Sequence, residues 1–185
     1  MLFALLMAGC ATVRSAPPRF DAPWPPPDTG PRPAIILTVT GGAMMDGWPR
    51  DLGPILDRWG METERAYRES ALFSDVGVDR GRGDLRAKVE LRANVEQVPV
   101  LAVLSYLTLF IIPNVETTEI TVATTINTAH GEPLGTIEVR GKSRTWYQIL
   151  LLPVAPFLEP KEVTPGIVYD LNRETISTLH ARGVF

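Results

Sequence analysis

The residue types that carry most enzyme chemistry are scarce in this chain. Its one cysteine is Cys10, and its two histidines are His130 and His180. A nucleophilic mechanism needs a serine, threonine or cysteine with a base in reach. No Gly-x-Ser-x-Gly stretch is present, and neither histidine lies in a catalytic motif. We therefore expect no catalytic residues and predict that the protein is not an enzyme.

Metal-binding spacings are missing from the sequence as well. There is no His-x-x-x-His or Cys-x-x-Cys pair, so a zinc site would need carboxylates with a single histidine. Asp75, Asp79 and Asp84 share a glycine-containing stretch, but their spacing is not that of a calcium loop. Solvated loop acids are the better interpretation. We predict no metal site and no cofactor.

The overall composition is that of a globular protein. A length of 185 residues suits one domain with appendages, and 45% hydrophobic and 21% charged residues allow a substantial core. The net charge of −3 gives no basic face for a phosphate backbone. We therefore predict no nucleic-acid partner.

The residues that lead to Cys10 form a short apolar run, MLFALLMAGC. Met7, Ala8, Gly9 and Cys10 resemble the lipobox of bacterial lipoproteins, with Met at the usual Leu place. The resemblance implies a signal peptide over residues 1–9, and a Cys10 that carries the lipid anchor. Ala11, which is not aspartate, implies sorting to the periplasmic face of the outer membrane. No Lys or Arg precedes the run, which a start codon further upstream would explain. The alternative is an apolar N-terminus with an isolated cysteine.

Proline dominates the stretch that follows Cys10. Residues 11–33 hold almost half of the chain's 17 prolines, which oppose both helices and sheet ladders. We expect a stiff, extended tether over residues 10–33 that holds a single folded domain, residues 34–185, away from a membrane.

Four stretches in the domain have strand patterns. Residues 34–41 are β-branched and precede Gly41-Gly42, which we interpret as a turn. Residues 84–96 alternate between apolar and polar side chains, which is typical of an antiparallel strand with one solvated face. Residues 115–128 and 134–146 follow as two further strands that flank a turn.

Two helices complete the predicted domain. The first begins near Pro54 and carries apolar residues at helical spacing, and residues 74–84 then form a loop. The last has Thr164 as its N-cap, Pro165 in its first turn and Gly183 after its end. The prediction is an α+β fold of order β-α-β-β-β-α. It has an antiparallel sheet of about four strands, helices on one face, and two apolar segments at one edge.

These two apolar segments are 98–113 and 147–158, each bounded or broken by proline. A three-strand meander would bring both to the same edge of the sheet. As a helix the first would cover about 24 Å, less than the roughly 30 Å of a hydrocarbon core, so we do not expect it to span a membrane. Three interpretations stay open: helices buried under the sheet, shallow insertion into a leaflet, and a docking surface for a membrane protein.

Particular side chains of these segments are the candidate contacts with a membrane or a partner. They are apolar residues of the two segments: Leu101, Leu104, Leu107, Phe110, Ile111, Leu150, Leu151 and Phe157.

The stretches LTLFIIPN at 107–114 and LLLPVAPF at 150–157, placed around two strands, resemble a pattern in small proteobacterial envelope lipoproteins. More distantly, the order of elements is similar to α/β lipoproteins that serve as accessory subunits of envelope machines. The resemblance implies a structural or accessory role, in contact with a membrane or an envelope protein complex. The alternative is a carrier that holds a lipid or another apolar ligand between the segments and the sheet.

Overall fold

A computed structural model describes residues 9–15, 23–27, 30–51, 53–151 and 160–185. The strands are β1 Gly9–Arg14, β2 Ala34–Met45, β3 Trp48–Arg50, β4 Asp75–Val78, β5 Leu85–Gln97, β6 Asn114–Thr128 and β7 Pro133–Gln148. The helices are α1 Pro54–Glu69, α2 Pro99–Leu107 and α3 Pro160–Ala181, with a 3-10 turn at Ile149–Leu151.

The seven strands form one mixed sheet in the order β1-β7-β6-β5-β2-β3, and β4 also pairs with β2. The predicted meander of β5, β6 and β7 is present and antiparallel. However, β2 runs parallel to both β4 and β5. The prediction of an antiparallel sheet of about four strands is therefore wrong.

The parallel pairs follow from the path of the chain through α1. A chain that leaves β2, crosses in a helix and returns along the same sheet enters the next strand in the same direction. Strand β4 has only four residues and lies inside the stretch that we expected to be a loop. Its glycine and aspartate lower the strand propensity, so the sequence conceals it.

Strand β2 continues through Gly41-Gly42, where the sequence predicts a turn. A Cβ on Gly41 would lie 2.7 Å from both Leu56 Cδ1 and the Leu91 carbonyl oxygen. Glycine is therefore present because α1 approaches the sheet closely, and neither glycine has a positive φ.

The core lies between one face of the sheet and the helices α1 and α3. The alternation predicted for β5 is confirmed, since its odd-numbered residues from Leu85 to Ala93 are buried. The stripe predicted for α3 is confirmed as well, because Val168, Leu171 and Leu179 are buried in the same cluster. On α1, Trp59, Ala66 and Tyr67 are buried as expected, and burial raises the pKa of the Tyr67 hydroxyl.

The two long helices differ in how well their boundaries match the prediction. Helix α1 begins at Pro54, as expected. Helix α3 begins at Pro160, so Thr164 is not its N-cap and Pro165 lies inside it. Pro165 is the sixth residue of the helix, where its missing N–H removes one backbone hydrogen bond. The C-terminal prediction holds, since the helix ends at Ala181 and Gly183 has a φ of 68°.

The N-terminal stretch is part of the domain where the structure describes it. Strand β1 pairs antiparallel with β7, so the expectation that residues 11–33 form no ladder is wrong for residues 11–14. Further along, Pro26 is buried and Trp24 packs against the core, with the Arg173 guanidinium 4.9 Å from its ring centroid. Residues 1–8, 16–22 and 28–29 of the predicted signal peptide and tether lie outside the described residues.

Candidate functional site

Five chain segments meet at one end of the sheet, which we call the α2 end. Strand β5 stops there at Gln97 and β6 begins at Asn114, and α2 lies in the connection between them. Strand β7 ends at Gln148, and its partner β1 begins at Gly9. The last residue of β2, Met45, pairs with Val95 of β5 at the same end. The two apolar segments were expected at the same edge of the sheet. Their described parts, residues 98–113 and 147–151, do lie at the same end of it.

The connection between β5 and β6 exposes an unusual amount of apolar side chain. No charged residue occurs between Glu96 and Glu116. Within α2 the exposed fractions are 67% for Val100 and 76% for Leu107, and Ile111 just beyond the helix is 64% exposed. We define the apolar cap as residues 98–112. Because most of its side chains face solvent, the cap is not a helix buried under the sheet.

The inner side of the apolar cap holds it against the domain. Ser105 is the buried residue of α2, and Asn114 at the start of β6 is buried as well. The Ile149 backbone N–H donates to the Phe110 carbonyl at 3.0 Å, which ties the cap to the 3-10 turn after β7. Leu109 and Phe110 both have positive φ, at 52° and 62°. Consecutive left-handed residues with side chains cost about 1–2 kcal/mol each, so the tight bend after α2 is strained.

The predicted contact residues divide into three groups. Leu104, Leu107 and Ile111 are exposed. Leu101, Phe110 and Leu151 are half-buried. The Leu150 side chain and all of Phe157 lie outside the described residues, so the second apolar segment is described only as far as Leu151.

A belt of polar groups borders the apolar cap on the side of the sheet. Gln97 Nε2 donates to Glu116 Oε2 at 3.0 Å, and the Tyr147 hydroxyl donates to the same oxygen at 3.3 Å. The Gln97 backbone N–H donates to Asp46 Oδ1 at 3.2 Å, which links the turn after β2 to the end of β5. The cap is therefore an apolar layer above a hydrogen-bonded polar layer.

Trp48 adds an aromatic side chain to the α2 end. It follows the turn at Asp46 and Gly47 between β2 and β3, and it is 74% exposed. The sequence prediction missed this residue because Gly41-Gly42 was interpreted as the end of the strand. The available signal was the Asp-Gly pair at 46–47, a typical hairpin turn.

Cys10 lies in β1 at the same end. Its partner in the ladder is Tyr147, which on the other side pairs with Asn114 at the base of the cap. Two strand spacings separate Cys10 from Asn114, about 10 Å across the sheet. The Cys10 side chain lies outside the described features, and its lipidation stays a prediction.

Features typical of a catalytic or metal centre are scarce in the described part of the chain. No group of three or more His, Cys, Asp or Glu side chains is placed to hold a metal ion there. His130 is exposed in a turn, and His180 Nδ1 lies 2.9 Å from the Phe185 main-chain oxygen. On the open face of the sheet, the hydrogen bond from Arg92 lowers the pKa of Glu90, as in an ordinary surface ion pair.

No helix among the described residues has both the length and the hydropathy needed to cross a bilayer.

Comparison with known proteins gives no further assignment. No family model matches the sequence. No curated protein matches it either.

Proposed function

We propose that this chain is a lipid-anchored envelope protein whose apolar cap enters the surface of the leaflet that holds its lipid. The proposal includes a structural or accessory role at the periplasmic face of the outer membrane. The observation that carries it is the position of Cys10, at the same end of the sheet as the exposed cap. A lipid on Cys10 would place that end, and no other, at the membrane.

The chemistry of the cap supports a lipid surface as the partner. Exposed apolar side chains on a short helix gain about 1.5–3 kcal/mol each when they leave water, if burial is complete. The polar belt of Gln97, Glu116 and Tyr147 then lies at the depth of the head groups. Trp48 and Tyr106 are exposed aromatic residues with a polar atom, a type enriched at membrane interfaces.

Charge supports shallow apolar insertion and not electrostatic attachment. The charged residues nearest to the cap in sequence, Glu96 and Glu116, are both acidic. Acidic residues are not attracted to anionic lipids. Binding of the apolar cap to a membrane should therefore not require anionic lipids and should depend little on salt concentration.

The proposal is tested with matched leucine-to-lysine variants at the two ends of the sheet. In a chain of residues 10–185 with Cys10→Ser, Leu107→Lys should weaken flotation with phosphatidylcholine vesicles about tenfold, because a charge replaces an inserted apolar side chain. Leu134→Lys is the control, since Leu134 is also exposed, at 43%, but lies at the start of β7, far from the cap.

Equal flotation of the two lysine variants would contradict insertion of the cap. A protein that ignores vesicles, but whose cross-link to an envelope protein is lost with Leu107→Lys, would show that the cap docks on a protein. That result would also contradict insertion of the cap into a membrane leaflet.

A further inference from the structure

A pocket lies on the helix-covered side of the sheet, next to the α2 end. Its volume is about 510 Å³, within the usual range for small-molecule sites. Ala43, Ala93 and Val95 form its sheet side, Ile55 and Trp59 come from α1, and Pro165 comes from α3. The sequence prediction missed this pocket because its lining residues come from five separate stretches of the chain.

The pocket exists because the sheet carries small side chains where α1 begins. Ala43 and Ala93 are register partners in β2 and β5, and both lie on the helix side of the sheet. Helix α1 begins only at Pro54, so its first turn does not fill the space above them. Ile55 has the helical spacing of the apolar residues of α1 that face the sheet. It is nevertheless exposed, and it lines the pocket.

The lining indicates the class of ligand. The side chains that form it are mostly apolar, with hydroxyl groups from Thr118 and Thr164. Arg58 also lines the pocket and already has an interaction partner. A sugar or a nucleotide needs several convergent polar groups, which this lining does not supply. An alkyl chain needs none.

The position of the pocket indicates where such a chain would come from. Val95 is two residues before the end of β5, and the apolar cap begins directly after that strand. The register partner of Val95 is Met45, which precedes the turn that leads to Trp48. In the orientation that we propose for the membrane, the pocket lies beside the leaflet. We infer that it takes one alkyl chain of a membrane lipid while the head group stays at the interface, and this inference rests on the proposed function.

Binding of 11-(dansylamino)undecanoic acid to the full chain with Cys10→Ser tests the inference. We expect saturable binding with a rise in dansyl emission. Ala43→Trp should weaken it by about tenfold or more, because the indole occupies the space in which the alkyl chain would be buried. Ala123→Trp is the matched control, since Ala123 lies on β6 with its side chain on the open face of the sheet.

A second variant guards against misfolding of Ala43→Trp, which circular dichroism would reveal. Ile55→Glu changes an exposed side chain of the first turn of α1 and should also weaken dansyl binding, because it places a charge in the apolar lining. Absence of saturable binding by the intact chain would overturn the inference. Equal binding by Ala43→Trp and Ala123→Trp would overturn it as well.

The pocket and the cap are tested independently. Leu107→Lys should lose vesicle flotation and keep dansyl binding, whereas Ala43→Trp should show the opposite. If flotation does not depend on Leu107 but dansyl binding still depends on Ala43, the proposed function fails, and what remains is a pocket for an alkyl chain that does not come from the membrane.

Discussion

The two ends of the same sheet have opposite surfaces. At the α2 end, the chain passes from β5 to β6 without a charged residue between Glu96 and Glu116. At the far end, the connection from β4 to β5 is the charged stretch DRGRGD at 79–84, and the β6–β7 turn contains Glu132. Both sets of connections belong to the same sheet, so the strand framework does not account for the difference.

The two ends also differ in how their connections are stabilised. At the far end, Asp84 Oδ2 accepts a hydrogen bond from the Ala34 backbone N–H at 2.9 Å, and the Asp84 carbonyl accepts one from Ala129 at 2.9 Å. The α2 end also has backbone hydrogen bonds, such as that from Ile149 to the Phe110 carbonyl, but its bend contains two consecutive left-handed residues, Leu109 and Phe110. Exposed apolar residues on a strained connection reduce the stability of an isolated domain, which is typical of connections that carry function.

The largest change should follow from removing the anchor. Cys10→Ser, in a chain whose residues 1–9 are replaced by a signal peptide that is cleaved without Cys10, leaves no site for the proposed lipid, whose chains contribute about 0.8 kcal/mol for each buried CH₂ group. We expect most of the protein to move from the membrane fraction to the soluble fraction of cells, as measured by immunoblot. Cys10→Ser combined with Leu107→Lys should remove the remainder, whereas Cys10→Ser with Leu134→Lys should not. Full membrane retention of Cys10→Ser alone would show that the cap, or another segment, is itself the anchor.

A smaller change, in the free energy of unfolding, is expected from breaking the ion pair that joins β1 to α3. Arg14 Nη1 lies 2.5 Å from Asp170 Oδ2 of α3, and both side chains are mostly buried. Asp170→Asn removes this ion pair and should lower the free energy of unfolding by about 1 kcal/mol, with faster amide exchange in β1. Both quantities are measurable, by urea denaturation and by hydrogen exchange.

The control for that variant is Glu138→Gln, which breaks the exposed pair between Glu138 and Arg140. Its stability should change by less than about 0.5 kcal/mol because solvent screens the pair. If both variants exchange β1 amides at the wild-type rate, the ion pair between Arg14 and Asp170 does not hold β1 on the domain.

The smallest effect should come from the inner side of the cap. The Ser105 hydroxyl is fully buried and makes no hydrogen bond to the described residues. Ser105→Ala should raise the free energy of unfolding by about 0.5 kcal/mol, because alanine has the higher helix propensity and leaves no buried hydroxyl unpaired. Vesicle flotation should stay unchanged. A clear loss of stability in thermal melts would mean that the hydroxyl has a partner.

Regular alternation and helix periodicity allowed most elements of the domain to be predicted. The three strands of the meander and the start of α1 depend on local patterns that the sequence displays directly. The direction of β2 was not predictable in this way, because its neighbours are set by the return of the chain after α1. Gly41 was misread because close packing and turns favour the same residue. The α3 start was misread because Thr164 and Pro165 form a good cap signal inside a longer helix.

The candidate site was predictable in part. The apolar character of residues 98–113 is visible in the sequence, but its exposure depends on how the short connection leaves the sheet. Trp48 could have been found from the Asp46-Gly47 turn signal, but the pocket could not be found without the pairing of β2 with β5, which joins residues about 50 positions apart. Strand β1 was hidden by its proline-rich surroundings, since the pattern of residues 11–33 as a whole opposes a ladder.

The length of β6 sets how far the protein would extend from the surface that it occupies. The strand has 15 residues, which at about 3.3 Å per residue amount to about 50 Å. If Cys10 carries the proposed lipid, β6 would begin at the membrane and β1 would join the lipid directly to the sheet, which would then hold the far end at a fixed distance from the leaflet. The charged loop at 79–84 would then stand at a fixed height, within reach only of components whose own binding surface lies about 50 Å above the leaflet.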